Sequence, residues 1–124
     1  MIRGLGCDVC AIERMGRILD NTRFLERYFT EGERAYIAAR SRAAETAAGL
    51  FAAKEALVKA LGIGIGPLSL IDAEIGHDEK GAPYYILNEK VWAALQKKGA
   101  SAAFLSISHE GGVAMAVAIL EGET

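Results

Sequence analysis

Apolar and polar positions along the chain change period several times, and each change marks an element. Residues 2–10, "IRGLGCDVC", read as a strand that ends near Asp8. The spacing then turns helical over "AIERMGRILD", with Ile12, Met15 and Leu19 on one face and Arg14 and Arg17 on the other. "NTRFLERYF" is a second short helix. Thr30 to Glu33 is an S/T-x-x-E capping box, which opens a third helix through Ala39. A longer helix spans Ala43 to Leu61, with Gly62 as its C-terminal stop. "GIGIGP" is a loop, and "SLIDAEIGHDEKGAPYYIL" is a hairpin around Asp78–Gly81. Asn88 caps a helix carrying Val91, Trp92 and Leu95 and closed by Gly99; "AAFLSISH" and "VAMAVAIL" then pair around "EGG". The pattern predicts a single α+β domain over residues 1–124, an antiparallel sheet packed against helices.

Two segments break the half-polar rule. "VAMAVAIL" is apolar on both faces, so its strand needs two covering layers. The chain's own helices supply one, and a neighbouring subunit is expected to supply the other. "FAAKEALVKALG", Phe51 to Gly62, is apolar nearly all round yet keeps Lys54, Glu55 and Lys59. Lys54 falls between Leu61 and Val58, inside the apolar face; Glu55 and Lys59, four apart, share a flank with Ala48 and Ala52. On the plain reading Glu55 and Lys59 are an i,i+4 pair and Lys54 snorkels its ammonium to water.

A chemical reading competes with it. Asp8 ends a strand expected to be central, where an apolar residue packs better, and Ser108 and His109 end a strand that leads into a glycine turn. Two carboxylates and a lysine, Asp8, Glu55 and Lys59, suit magnesium and phosphate: hard oxygen ligands for the ion and an ammonium for phosphoryl oxygens. Gly62 is explained as a C-cap, whereas Gly64 and Gly66 are not. The G-x-G-x-G run before Pro67 is no dinucleotide fingerprint, because it follows a helix instead of a strand.

Charge and composition narrow the classes. A net charge of −2 argues against a general nucleic-acid binder. All eight arginines lie in residues 1–42, so an acidic partner is expected at that third of the chain. No run approaches the ~20 apolar residues of a membrane span. The start, "MIRGLGCDVC", lacks the apolar core of a signal peptide, so a cytoplasmic address is expected. Cys7 and Cys10 form a CxxC, but a zinc site needs three or four ligands and the chain adds only His77 and His109. Both cysteines read as buried, reduced thiols pointing to opposite faces of the first strand.

The segments "GCDVCAIER", "FTEGE", "FAAKEALVKALGIGIG", "GAP" (Gly81 to Pro83) and "SISH" resemble, in order and from end to end, the small phosphopantetheinyl transferases of the holo-acyl-carrier-protein synthase family. The resemblance implies transfer of the 4′-phosphopantetheine arm of coenzyme A to a serine of apo acyl carrier protein, with release of adenosine 3′,5′-bisphosphate, in fatty acid biosynthesis. It implies a homotrimer with sites between subunits. By motif match, Asp8 and Glu55 would ligate Mg2+ and Lys59 would hold the pyrophosphate. Gly62, Gly64, Gly66, Pro83, Ser108 and His109 would line the coenzyme A pocket. Arg14 would face the carrier protein, joined by Arg17, Arg23 and Arg27, which lie three and four residues apart on the polar sides of the first two helices.

One residue departs from the family pattern: Leu50 stands where members commonly carry an arginine that meets the nucleotide end of coenzyme A. Arg42, or Arg40 beside it, takes that role, or binding there is weaker. The sequence leaves the general base open among Glu55, a water and another side chain. It also leaves two rival functions: the same chemistry on carrier domains of polyketide or peptide synthesis, and a non-catalytic oligomeric binding module.

Overall fold

A computed structural model describes residues 1–63 and 68–123. In chain order the elements are β1 (Ile2–Ala11), α1 (Ile12–Ile18), α2 (Thr22–Tyr28), α3 (Glu31–Ala39), α4 (Ala43–Leu61), a 3-10 turn (Leu70–Asp72), β2 (Ala73–His77), β3 (Pro83–Leu87), α5 (Glu89–Lys97), β4 (Ala102–Glu110) and β5 (Val113–Glu121). Local chemistry explains the boundaries. The Thr30 hydroxyl accepts from the Glu33 N–H at 3.2 Å and the Glu33 carboxylate accepts from the Thr30 N–H at 2.9 Å, so the capping box forms in both directions. Asn88 caps α5 by accepting from the Val91 N–H at 2.9 Å. Gly62 ends α4 at φ 68°, a left-handed conformation that favours glycine, and its N–H reaches the Val58 carbonyl at 3.2 Å.

The fold is α+β, with a three-stranded antiparallel sheet in the order β1-β5-β4 and a separate β2-β3 hairpin. The expectation that β1 is central is corrected. β1 is an edge strand and β5 lies between β1 and β4. The strand with apolar residues on both faces is the one that takes the middle.

Register divides the sheet into two faces. Gly4, Gly6, Asp8 and Cys10 share one face with Ala114, Ala116, Ala118 and Leu120 and with Ala103, Leu105, Ile107 and His109. This face is covered by α4, whose Ala48, Ala52, Ala56 and Ala60 are buried. A Cβ on Gly6 would overlap the Ala56 carbonyl oxygen, and one on Gly4 that of Ala60. The two glycines therefore let helix backbone lie directly on strand backbone, which fixes the height of Asp8 against α4.

Among the described residues nothing covers the other face. Leu5, Val9, Phe104, Val113 and Met115 lie exposed on it, Leu5 at 66% and Phe104 at 54%. Cys7 is on this face and exposed, while Cys10 is buried against α4, so only one of the two thiols is buried as expected. Among the described residues no helix is long and apolar enough to cross a membrane.

Lys54 does not snorkel. Its side chain is 0% exposed and its ammonium donates to Glu33 Oε1 at 2.7 Å, the Ala73 carbonyl at 3.1 Å and the Leu70 carbonyl at 3.3 Å. Burial pulls its pKa down and the Glu33 charge pulls it back. The lysine satisfies its charge inside because the Glu33 cap and two carbonyls converge on it, a convergence of separate elements that spacing along α4 does not reveal.

Candidate active site

The polar groups singled out on α4 meet β1 where the glycines bring the two backbones together. Lys59 Nζ donates to Asp8 Oδ1 at 2.8 Å and to the Cys7 carbonyl at 3.2 Å. The expected i,i+4 pairing of Glu55 with Lys59 is replaced by this cross-element pair. Among the described residues Glu55 has no ion pair and no side-chain hydrogen bond. Its carboxyl is pushed up from the usual carboxylate range by burial and then by the neighbouring Asp8 charge, with Lys59 opposing. The two carboxylates thus disfavour each other's charge, and the Lys59 ammonium offsets it. Lys59 is held charged: the hydrogen bond from its ammonium to Asp8 moves its pKa up.

Glu55 also borders a largely apolar cleft of about 290 Å3, walled by Tyr28, Val58, Leu68 and Leu70 with Arg27 at its edge. The Arg27 guanidinium stands over the Tyr28 ring, 5.4 Å from its centroid. Arg27 thus lies beside Glu55, not only on an outer helical stripe. Arg14 has a nitrogen 4.0 Å from Cys10 Sγ, Arg17 pairs with Glu13 at 3.1 Å on the surface, and Arg23 is exposed.

A second pocket, about 210 Å3, opens at the N-terminal half of α4 and includes Tyr36, Arg40, Glu45, Leu50, Pro83 and His109 among its lining. His109 Nε2 lies 3.1 Å from Glu45, and Arg42 reaches the other Glu45 oxygen at 3.8 Å. Pro83 and His109 line the same pocket. Ser108 is not: it shares the uncovered face with Met115, while His109 shares the covered face with Ala114, because neighbours on a strand point oppositely. Of the two arginines weighed at Leu50, Arg40 lines the pocket and Arg42 does not. Gly62 is at the far end of α4; Gly64 and Gly66 lie outside the described residues.

Sequence reading missed the flat wall of this pocket. The Tyr36 and His77 rings stack at 3.9 Å with an interplanar angle of 5°, and the Arg40 guanidinium sits 5.3 Å from the Tyr36 centroid. Burial and then Arg40 lower the His77 pKa, keeping the imidazole neutral around pH 7. A signal existed: the hairpin around Asp78–Gly81 sets His77 opposite Pro83. Among the described residues no group of three or more His, Cys, Asp or Glu gathers as a metal cluster.

Residues 4–118 match the 4′-phosphopantetheinyl transferase superfamily, and the chain belongs to that family. Within it the chain is similar to holo-[acyl-carrier-protein] synthases. It is 45% identical to that of Myxococcus xanthus over 98% of this chain and 97% of the relative. The crystal structure of the Neisseria meningitidis enzyme superposes with a TM-score of 0.87 at 32% identity, covering 98% of this chain and 99% of that one. A Bacillus anthracis structure in complex with CoA (3′,5′-ADP) superposes with a TM-score of 0.81 at 38% identity, covering 99% of both.

Proposed function

We propose that this protein transfers the 4′-phosphopantetheine arm of coenzyme A to a serine hydroxyl of apo acyl carrier protein. The observation that carries the reading is the Asp8–Lys59–Glu55 group at the β1–α4 contact, in a chain that aligns nearly end to end with holo-[acyl-carrier-protein] synthases. In the transfer the serine oxygen bonds to the phosphorus that carries pantetheine, and the P–O–P bridge breaks. Its electron pair leaves on the 5′-phosphate of adenosine 3′,5′-bisphosphate, and the serine proton passes to a base. Such a reaction demands charge neutralisation on both bridged phosphates and close positioning.

The donor set fits Mg2+. Asp8 and Glu55 supply two hard oxygen ligands and leave room for the water and phosphate oxygens that this ion keeps. Bound there, Mg2+ supplies Lewis-acid stabilisation of negative charge on the pyrophosphate. Lys59 adds an ammonium on the same side. The pocket of Pro83 and His109 takes the nucleotide end, with Arg40 and the Tyr36–His77 stack as its wall. The decisive experiment is mass spectrometry of apo acyl carrier protein after incubation with this protein, coenzyme A and Mg2+. A mass gain of one phosphopantetheine per carrier is expected; an unmodified carrier overturns the reading.

The uncovered sheet face supports a homotrimer with sites shared between subunits, since apolar residues such as Phe104 and Met115 are left in water by a single chain. Ser108, on that face, would then enter a site from the neighbouring side. Met115 is 39% exposed, so Met115→Arg is expected to fold yet fail to assemble. Sedimentation should read a monomer with normal circular dichroism and low activity; a stable, fully active monomer of the wild type would refute the shared site.

Arg14, with Arg17, Arg23 and Arg27 nearby, forms the carrier-docking surface. Contacts of this kind speed encounter and set orientation, and they weaken as salt screens them. Arg14→Glu is expected to raise the KM for carrier protein by about tenfold or more, a loss of roughly 1.4 kcal/mol, while leaving the KM for coenzyme A nearly unchanged. Normal kinetics with the carrier would move the docking surface elsewhere.

A further inference from the structure

Lys54 stands next to Glu55 in sequence but turns into the core, and its use there is directional. All three ammonium donors are taken, by Glu33 Oε1, the Ala73 carbonyl and the Leu70 carbonyl. Glu33 in turn accepts the Thr30 N–H on Oε1 and the Ile75 N–H on Oε2, each at 2.9 Å. One buried pair therefore ties α4 to the start of α3, to β2 and to the turn at Leu70.

Each tied element carries a wall of a pocket. α3 carries Tyr36 and ends at the cap residue Arg40, β2 ends in His77, and Leu70 faces the cleft beside Glu55. We propose that Lys54, through Glu33, is a positioning residue for the transfer, holding the walls of both pockets at fixed distance and angle from the Glu55–Lys59 segment. The inference rests on the functional reading above.

Stability alone is a weak reason for such a pair. Well-packed apolar residues of similar volume often do as well or better, because desolvating two charges offsets most of their attraction. What apolar packing lacks is direction: it does not fix which way a carbonyl or a carboxylate points, whereas hydrogen bonds do. Two backbone carbonyls and two backbone N–H groups are oriented by this one pair, and they belong to the segments that wall the ligand sites.

The test separates positioning from stability. Lys54→Met keeps the length of the side chain and removes the tether. Adding Glu33→Gln removes the carboxylate left unpaired, while an amide oxygen remains to accept a cap hydrogen bond. Lys54→Met is expected to melt lower than wild type, and the double variant to recover much of that loss. In both, well below their melting temperatures, the KM for coenzyme A and the calorimetric Kd for adenosine 3′,5′-bisphosphate should rise about tenfold. The KM for carrier protein should stay within about twofold.

A double variant with recovered melting temperature and wild-type affinity for coenzyme A would overturn the proposal, leaving Lys54 a structural residue. Should Lys54→Met fail to fold, Glu33→Gln alone carries the test, because it weakens the pair but keeps the lysine and its carbonyl acceptors. A raised KM for coenzyme A supports positioning and a wild-type value overturns it. Failure of the wild type to modify any apo carrier would instead sink the functional reading, so the two failures are distinct.

Discussion

Glu55→Ala is expected to lose nearly all transfer, on the order of 10^3-fold in kcat/KM, without losing the fold. Among the described residues Glu55 has no ion pair or side-chain hydrogen bond, so its truncation strands no partner. Burial and the Asp8 charge push its carboxyl up, so the folded protein disfavours the carboxylate relative to the unfolded chain. The sign follows: a carboxyl with a raised folded pKa loses stability as pH rises from its unfolded value through its folded one, so removing it at neutral pH costs no stability on this account. A divalent cation between Asp8 and Glu55 reverses the penalty. Mg2+ should therefore raise the melting temperature of the wild type and leave that of Glu55→Ala unmoved. Asp8→Ala should be as inactive, and in addition leaves the Lys59 ammonium without its carboxylate. Mass spectrometry of the carrier across a Mg2+ titration checks the activity, and thermal melts check the metal. Wild-type rates from Glu55→Ala at ordinary Mg2+ would remove this carboxylate from the site.

Much of the fold was legible because it rests on local signals. The capping box at Thr30–Glu33, the asparagine cap at Asn88 and the glycine stop at Gly62 set helix boundaries through bonds made within a few residues. The Asp8, Glu55 and Lys59 group, proposed above as the reaction centre, was legible for a different reason: charge on a small-residue flank of α4, and on a strand that should pack a core, violates patterning without an evident local gain. What stayed hidden was every fact set by two distant segments. The order β1-β5-β4 depends on which strand joins the final hairpin, and the β1 sequence reads the same at an edge as in the middle. Lys54 finds Glu33 twenty-one residues away, and Tyr36 finds His77 across two elements. Glu33 had already been assigned a local task as the cap, which concealed that its carboxylate serves a second partner.

Lys59→Ala is expected to lower kcat by about 10^2- to 10^3-fold, the effect of removing one preorganised donor from developing negative charge, with a smaller change in the KM for coenzyme A. Its ammonium is held at the contact between β1 and α4 by Asp8 at 2.8 Å and the Cys7 carbonyl at 3.2 Å, so it is in place before substrate arrives. The bond to Asp8 raises its pKa above the ordinary lysine value. A raised lysine pKa adds stability below the unfolded value of 10.5, lost only as pH climbs through the higher folded value, so the ammonium stays charged throughout the neutral range. The side chain is 54% exposed and fills no core volume, so the melting temperature of Lys59→Ala should stay near wild type. Lys54, five residues earlier on the same helix, gives the opposite signature: a lower melting temperature and weaker coenzyme A binding. Measuring kcat, KM and melting temperature for the two variants side by side therefore assigns each lysine. A Lys59→Ala enzyme that turns over at the wild-type rate would show that the charge of the pyrophosphate is met elsewhere.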